Sequence, residues 1–340
     1  MSFALYVFIQ LAIIFLLNNI FIKNNYLVNE TGDSHQKFTS KSKIPLTGGI
    51  FLYLCIIFFI NDNILSFLLF SLLILILGIF SDLKLIKSAI KRLIFQTSIV
   101  MFFIIFNEIK ILDTRIIFLD NLLINPFLNY FFVCFCILII INGSNFFDGL
   151  NTLSIGYYLL ISIIIFYLNL QNLIIIENIS MNYVLFVIVS LYFLNLFNKV
   201  FLGDSGSYLL GFMFSIFLIN LYELNKHISP FFIILLLWYP GYETLFSIIR
   251  KKILKKSPIK PDSNHLHQLI FFLIKKNFIK NTYFANIFTA NFINIYNLII
   301  FFISSNYISN SKIQLILIFL NLILYTITYF RLIIYRYKKI

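Results

Sequence analysis

A chain of 340 residues that is 61% hydrophobic and only 11% charged carries too few charges for a soluble globule, in which about a quarter of residues would be charged. Its net charge of +13 would suit nucleic acid if the cations were clustered, but their distribution, set out below, excludes that partner. Three cysteines in such a length exclude a disulfide framework.

Apolar runs of roughly 20 residues, long enough to cross the hydrocarbon core, recur from end to end. In chain order the predicted spans are 3–22, 45–61, 64–81, 90–107, 126–142, 152–170, 182–198, 206–223, 230–249, 282–304 and 312–332. The first has no basic residue before it, Lys23 after it and no small-residue cleavage site, so a retained span with its N-terminus outside is expected. The expected cytoplasmic loops are then 23–44, 82–90, 142–152, 199–207 and 250–281. Together with the adjoining Lys91 and Arg92 and the C-terminal end from Arg331, they hold all but four of the 26 basic residues, the exceptions being Lys110, Arg115, Lys226 and Lys312. That asymmetry is the positive-inside pattern, so the basicity is topological and the partner it implies is the bilayer. The fold class is all-α: a polytopic helical integral membrane protein of about 10–11 transmembrane helices, one transmembrane domain over 1–340. Cys55, Cys134 and Cys136 fall within spans, where they act as small apolar packers.

The 43 Phe and 20 Tyr accompany abundant Ile, Asn and Lys and scarce Ala and Gly, as an A+T-rich coding bias would produce. Scattered aromatics and Asn therefore carry no functional weight, whereas clusters do. All of the 11 glycines except Gly156 and Gly241 fall within 32–49, 78–82, 142–151 and 203–211, stretches that need unusual backbone geometry. All four lie on the inner side of the topology, so chemistry is expected at the cytoplasmic face. Ionisable groups at span ends are costly unless they line a wet cavity or bind something.

Asp82 ends the third span, where it reads equally as a solvated helix-end carboxylate. Asp148 has Asn145 and Asn151 three residues to either side, which on a helical turn would make one acceptor-rich face. Asp204 lies in Phe-Leu-Gly-Asp-Ser-Gly-Ser (201–207), where a glycine-rich turn opens a helix. Such an N-terminus favours phosphate, and a carboxylate there suits a hard divalent cation. His265 and His267 could be zinc ligands, but no third nitrogen or sulfur ligand lies nearby; contacts to a phosphate or sugar fit them better. Three carboxylates, two histidines and many lysines on one membrane face suit an anionic, metal-bound substrate, with magnesium on a diphosphate the natural pairing.

These blocks resemble the polyprenyl-phosphate N-acetylhexosamine-1-phosphate transferases (glycosyltransferase family 4), which include the phospho-N-acetylmuramoyl-pentapeptide transferases. Ile-Pro-Leu-Thr-Gly-Gly (44–49) resembles the family's Pro-x-x-Gly-Gly, and Asn-x-x-Asn-x-x-Asp-Gly-Leu (142–150) and residues 201–207 follow in family order. The likeness extends over about 30–270, and the lack of a His-His-His-x-Glu pattern places the chain nearer the UDP-N-acetylglucosamine:undecaprenyl-phosphate branch.

The resemblance implies that undecaprenyl phosphate attacks the sugar-linked phosphate of a UDP-N-acetylhexosamine, releasing UMP and leaving a lipid-diphospho-sugar for a surface glycan or wall polymer. It implies Mg2+, with Mn2+ as the alternative, held by Asp204 and Asp148. Asp148 would lie in the nucleotide and catalytic centre, and Asp82 would engage or deprotonate the lipid phosphate. Asn145, Gly149 and Asn151 would lie on the nucleotide side, His265 and His267 near the sugar or diphosphate, and Lys41 and Lys43 in the basic first loop. Glu243 would shape the groove. The implied location is the bacterial inner membrane, and homodimers occur in the family.

Four departures stand out. The family's paired Asp is Ser81-Asp82, the second Asp of Asp-Gly-x-Asp is Asn151, and His-x-His-His ends in Gln268. The first loop has Thr39 and Ser40 near the usual Arg-Lys-x-His run, with His35 as a substitute. A catalytically inactive relative and a transporter are the alternatives, and the sequence does not decide between direct attack and an aspartyl intermediate.

Overall fold

In a bilayer every backbone N–H and C=O must be satisfied within the chain, and this forces long apolar stretches into helices even where they are rich in β-branched Ile. The computed structural model describes residues 3–28, 43–56, 65–177, 180–255, 257 and 264–337. Lys41, His35, Thr39 and Ser40 lie outside the described residues. The helices are α1 (Phe3–Lys23), α2 (Gly48–Ile56), α3 (Leu65–Asp82), α4 (Ala89–Phe106), α5 (Ile117–Leu123), α6 (Pro126–Phe147) and α7 (Leu153–Leu170). They continue with α8 (Met181–Leu196), α9 (Gly203–Leu224), α10 (Pro230–Leu236), α11 (Trp238–Ile253), α12 (Leu266–Asn277), α13 (Thr282–Ser305) and α14 (Ser311–Tyr337). Among the described residues the only β pairing is an isolated bridge between Val28 and Pro45.

Each predicted span meets a helix. Seven of them (α3, α4, α6, α7, α9, α13 and α14) are long and apolar enough to cross a membrane by themselves. The chain is a multi-pass membrane protein. The segment 230–249, expected as one span, is α10 and α11 meeting at a bend of 72°. Pro240 accounts for the break: it has no N–H to give the carbonyl of Leu236, and that carbonyl instead accepts the Tyr157 hydroxyl at 2.9 Å. Two stretches expected as loops contain helices, α5 between α4 and α6, and α12 within 250–281.

The hub is α9, which packs against α2, α3, α6 and α7. Close approach is possible because α3 offers a glycine at the crossing: a methyl group on Gly78 would lie 2.2 Å from the Ser205 Cα. Polar groups gather at the two ends of the bundle. At one end Arg115 donates to the carbonyls of Ile228 (2.9 Å) and Ser309 (3.0 Å), and Tyr222 donates to the Asp113 carbonyl at 2.8 Å. The opposite end gathers Asp82, Asp148, Asp204 and His265.

Replacing Gly78 with Ala is expected to cost about 1–3 kcal/mol by driving α3 off α9. Thermal unfolding of the purified protein in detergent measures it as a lowered melting temperature.

Candidate active site

An α-helix leaves its first N–H groups without intrahelical partners, and the residue before the helix normally supplies an acceptor. The residue preceding α9 is Leu202, which has none to offer. The acceptor comes from the end of α3: Asp82 Oδ1 accepts the Asp204 N–H at 2.8 Å and Oδ2 accepts the Ser205 N–H at 3.0 Å. The anion-favouring start of α9, expected to meet a phosphate, is thus occupied by a carboxylate of the protein itself. Gly203 makes this possible, with φ at +70° and no side chain to collide with Asp82 Oδ2. The glycine-rich stretch at 44–49 steadies the approach to α9, since Phe201 donates to the Pro45 carbonyl at 2.9 Å and Gly48 to the Phe201 carbonyl at 3.0 Å.

The Asp204 carboxylate is gripped separately. Its Oδ2 accepts from the Ser81 hydroxyl and from Arg92 Nη1 at 2.9 Å, and the same Arg92 nitrogen donates to Ser81 Oγ at 2.6 Å. Ser81, standing where the family pattern has a second carboxylate, therefore bridges an acid and a base. Arg92 is not among the sequence-level candidates because its place beside Lys84, Lys87 and Lys91 is explained there by topology alone.

Asp148 follows the end of α6. The helix runs through Asn142–Phe147 and stops as Asp148 turns to ψ 36°, so Asn145 and Asn151 do not share the helical face that their spacing suggests. They still border one cavity of about 50 Å³, with Asp148, Gly149, Gly203 and Asp204. Burial, then the charges of Asp204 and Asp82, push the Asp148 carboxyl well above the usual range. Asn145 donates to the Tyr208 hydroxyl at 3.3 Å. Asn151 is buried and donates to Asn198 Oδ1, so its side chain braces the loop.

The turn after Asp148 is pinned to its surroundings by amides. Asn195 Oδ1 accepts the Thr152 N–H at 2.6 Å, and its Nδ2 donates to the Val200 carbonyl at 2.9 Å. Asn286 Oδ1 accepts the Asn151 N–H at 2.8 Å, and Asn294 Nδ2 donates to the Thr152 carbonyl at 3.0 Å. One side chain, Asn195, thereby joins the segment after Asp148 to the segment before Asp204.

The histidines enter from α12. His265 Nδ1 lies 2.8 Å from Glu243 Oε1, and Glu243 Oε2 accepts the Tyr325 hydroxyl at 2.7 Å. The His265 ring stacks on His267, with 5.7 Å between centroids and 12° between planes. His267 is fully buried against the Asp148 turn, its Nε2 standing 2.6 Å from where a methyl group on Gly149 would be. Gln268 Oε1 accepts the His265 N–H at 3.3 Å and closes the start of α12. Lys43 is exposed and donates to Asn25 Oδ1 at 2.7 Å, on the connection from α1 to α2.

Among the described residues no three His, Cys, Asp or Glu side chains are grouped so as to hold a metal ion by themselves. The polar side chains bordering the cavity are carboxylates and amides, from Asp148, Asp204, Asn145, Asn151 and Asn195, whose oxygens are hard donors. Such a set suits magnesium, which commonly takes one or two carboxylates, keeps several waters and shares the substrate's phosphates.

A helical membrane protein with three carboxylates at one bundle end is the class that fold and site define. The family model described as glycosyl transferase family 4 matches residues 64–222, which include all three carboxylates. The undecaprenyl-phosphate alpha-N-acetylglucosaminyl 1-phosphate transferase of Thermotoga maritima is 30% identical over 233 residues, 66% of this chain and 67% of that protein. The probable undecaprenyl-phosphate N-acetylglucosaminyl 1-phosphate transferase of Bacillus subtilis is 44% identical over 73 residues, 20% of each chain. The chain belongs to glycosyl transferase family 4, as its motifs indicate, and it is an enzyme of the sugar-1-phosphate transferase kind.

Asn195→Leu leaves a buried N–H and a buried C=O without partners, at an expected cost of about 1–3 kcal/mol each. Thermal unfolding would show the loss as a lowered melting temperature.

Proposed function

We propose that this enzyme transfers N-acetylhexosamine-1-phosphate from a UDP-sugar to undecaprenyl phosphate, releasing UMP and forming a lipid-diphospho-sugar. The relatives' names favour N-acetylglucosamine as the sugar. The observation that carries the reading is the meeting of Asp82, Asp148 and Asp204, from three separate stretches of sequence, at one end of a membrane bundle. Both the inactive relative and the transporter are less well supported: the three carboxylates this chemistry needs are present, and they meet at an end of the bundle rather than at the bend of α10 and α11.

Asp148 and Asp204 would hold Mg2+, or Mn2+, which share the same hard-oxygen preference; the cation would offset charge on the diphosphate and the leaving UMP. Like-charge crowding supports this assignment, because Asp148 feels both Asp204 and Asp82 and a cation would relieve it. Asn145, Gly149 and Asn151 border the cavity on the nucleotide side, with Asn151 bracing rather than reaching outward. The stacked pair His265 and His267, fixed by Glu243, would meet the sugar or diphosphate. Lys41 and Lys43 belong to the basic first loop and would meet anionic substrate. The basic residues concentrate at the site's end of the bundle, which supports a cytoplasmic-facing site in a bacterial inner membrane, with loops 23–44, 82–90, 142–152, 199–207 and 250–281 on that side.

The deciding measurement is UMP release by purified protein given magnesium, undecaprenyl phosphate and UDP-N-acetylglucosamine. Release is expected; its absence with every common UDP-N-acetylhexosamine, where a working relative turns over, overturns the reading. Asp204→Asn is expected to lower magnesium-dependent turnover at least about 100-fold. Wild-type rates in that variant would remove Asp204 from the cation site.

A further inference from the structure

We propose that Asp82 acts in this reaction as a positioning residue, capping α9 so that Asp204 is held in place, and that the acceptor phosphate attacks without giving a proton to it. The inference rests on the transferase reading above. A carboxylate serving as base must direct a lone pair at the proton it takes, within hydrogen-bond reach. Each Asp82 oxygen gives one lone pair to a backbone N–H, at 2.8 Å and 3.0 Å, and keeps a second; the two N–H groups belong to Asp204 itself and to its neighbour Ser205, so the carboxylate's orientation is set by the helix start it caps.

Three further observations fit a cap. Leu202, the residue before α9, offers no side-chain acceptor, so the helix start depends on a group from elsewhere. Gly203 adopts φ +70° and leaves room for Asp82 Oδ2, which a methyl group would approach to 2.8 Å. The Asp204 side chain is held by other partners, Ser81 and Arg92, so its backbone and its carboxylate are secured independently. The charged groups facing Asp82 are Asp204 on α9, Asp148 beyond α6, and Arg92 on α4 through Ser81 and Asp204.

The chemistry needs no protein base. A phosphate monoester loses its second proton near pH 6, so the lipid phosphate is largely a dianion at neutral pH. One of its oxygens forms a bond to the sugar-linked phosphorus, the bond from that phosphorus to the UMP oxygen breaks, and UMP leaves with the electron pair. Charge is conserved with no proton moved.

The test compares full-length Asp82→Asn, Asp82→Leu and Gly203→Ala with wild type. Asn keeps one acceptor oxygen and is expected to retain kcat within roughly tenfold, the size of one lost cap bond. Leu and Gly203→Ala are expected to lose about 100-fold or more, with the KM for lipid phosphate unchanged in all three. The acid limb of the pH–kcat profile in Asp82→Asn should stay where wild type has it, because it belongs to the acceptor. Asp82→Asn as inactive as Asp82→Leu while still folded, or an acid limb that vanishes in Asp82→Asn, would overturn the proposal and restore the base. Thermal unfolding separates the two roles independently of activity: a cap predicts Leu melting well below Asn, whereas a base without a structural role predicts Leu melting no lower. Failure of the transferase reading is seen separately, as a wild type that releases no UMP.

Discussion

The start of α9 is a point where physical demands conflict. Its first N–H groups have no partner within the helix, and the residue before it is an apolar Leu202 with no acceptor to offer. The two hydrogen bonds from Asp82 resolve the conflict, and they require α3 to lie directly on α9. Gly78 and Gly203 permit that contact, and the backbone bonds from Phe201 to Pro45 and from Gly48 to Phe201 hold the incoming chain. Asp204, one residue into the helix, takes its position from all of these.

Around that point the site is built chiefly from groups that bond to backbone. Asn195, Asn286 and Asn294 reach from α8 and α13 to the turn behind Asp148. Glu243, on α11 beyond the Pro240 bend, fixes His265, and His265 in turn stacks on His267. In an apolar bundle each such polar group is stabilising only when its partner is present, so removing one member of a pair strands the other.

Much of this is legible in the sequence. Span after span can be counted from apolar runs, and the clustered glycines mark the stretches that carry Asp82, Asp148 and Asp204. What the sequence conceals, it conceals for identifiable reasons. Arg92 looks like one more topological cation, and Asn195 like one more residue of a biased composition. A face shared by Asn145, Asp148 and Asn151 requires a continuous helix, and α6 stops at Phe147. The bend at α10–α11 is signalled by Pro240, but an apolar run long enough to span outweighs one proline. The capping of α9 by another helix has no local signal, because Asp82 and the N–H groups it caps are far apart in the chain.

The amide bridge of Asn195 constrains how such a protein can diverge. Both of its partners are main-chain atoms, the N–H of Thr152 and the carbonyl of Val200. Side chains at those two positions can therefore change without altering the bridge, provided the backbone holds its course. Loop length cannot: one residue inserted between Asp148 and Thr152, or between Val200 and Asp204, would displace one carboxylate relative to the other. Drift in this region is open to composition and closed to insertion.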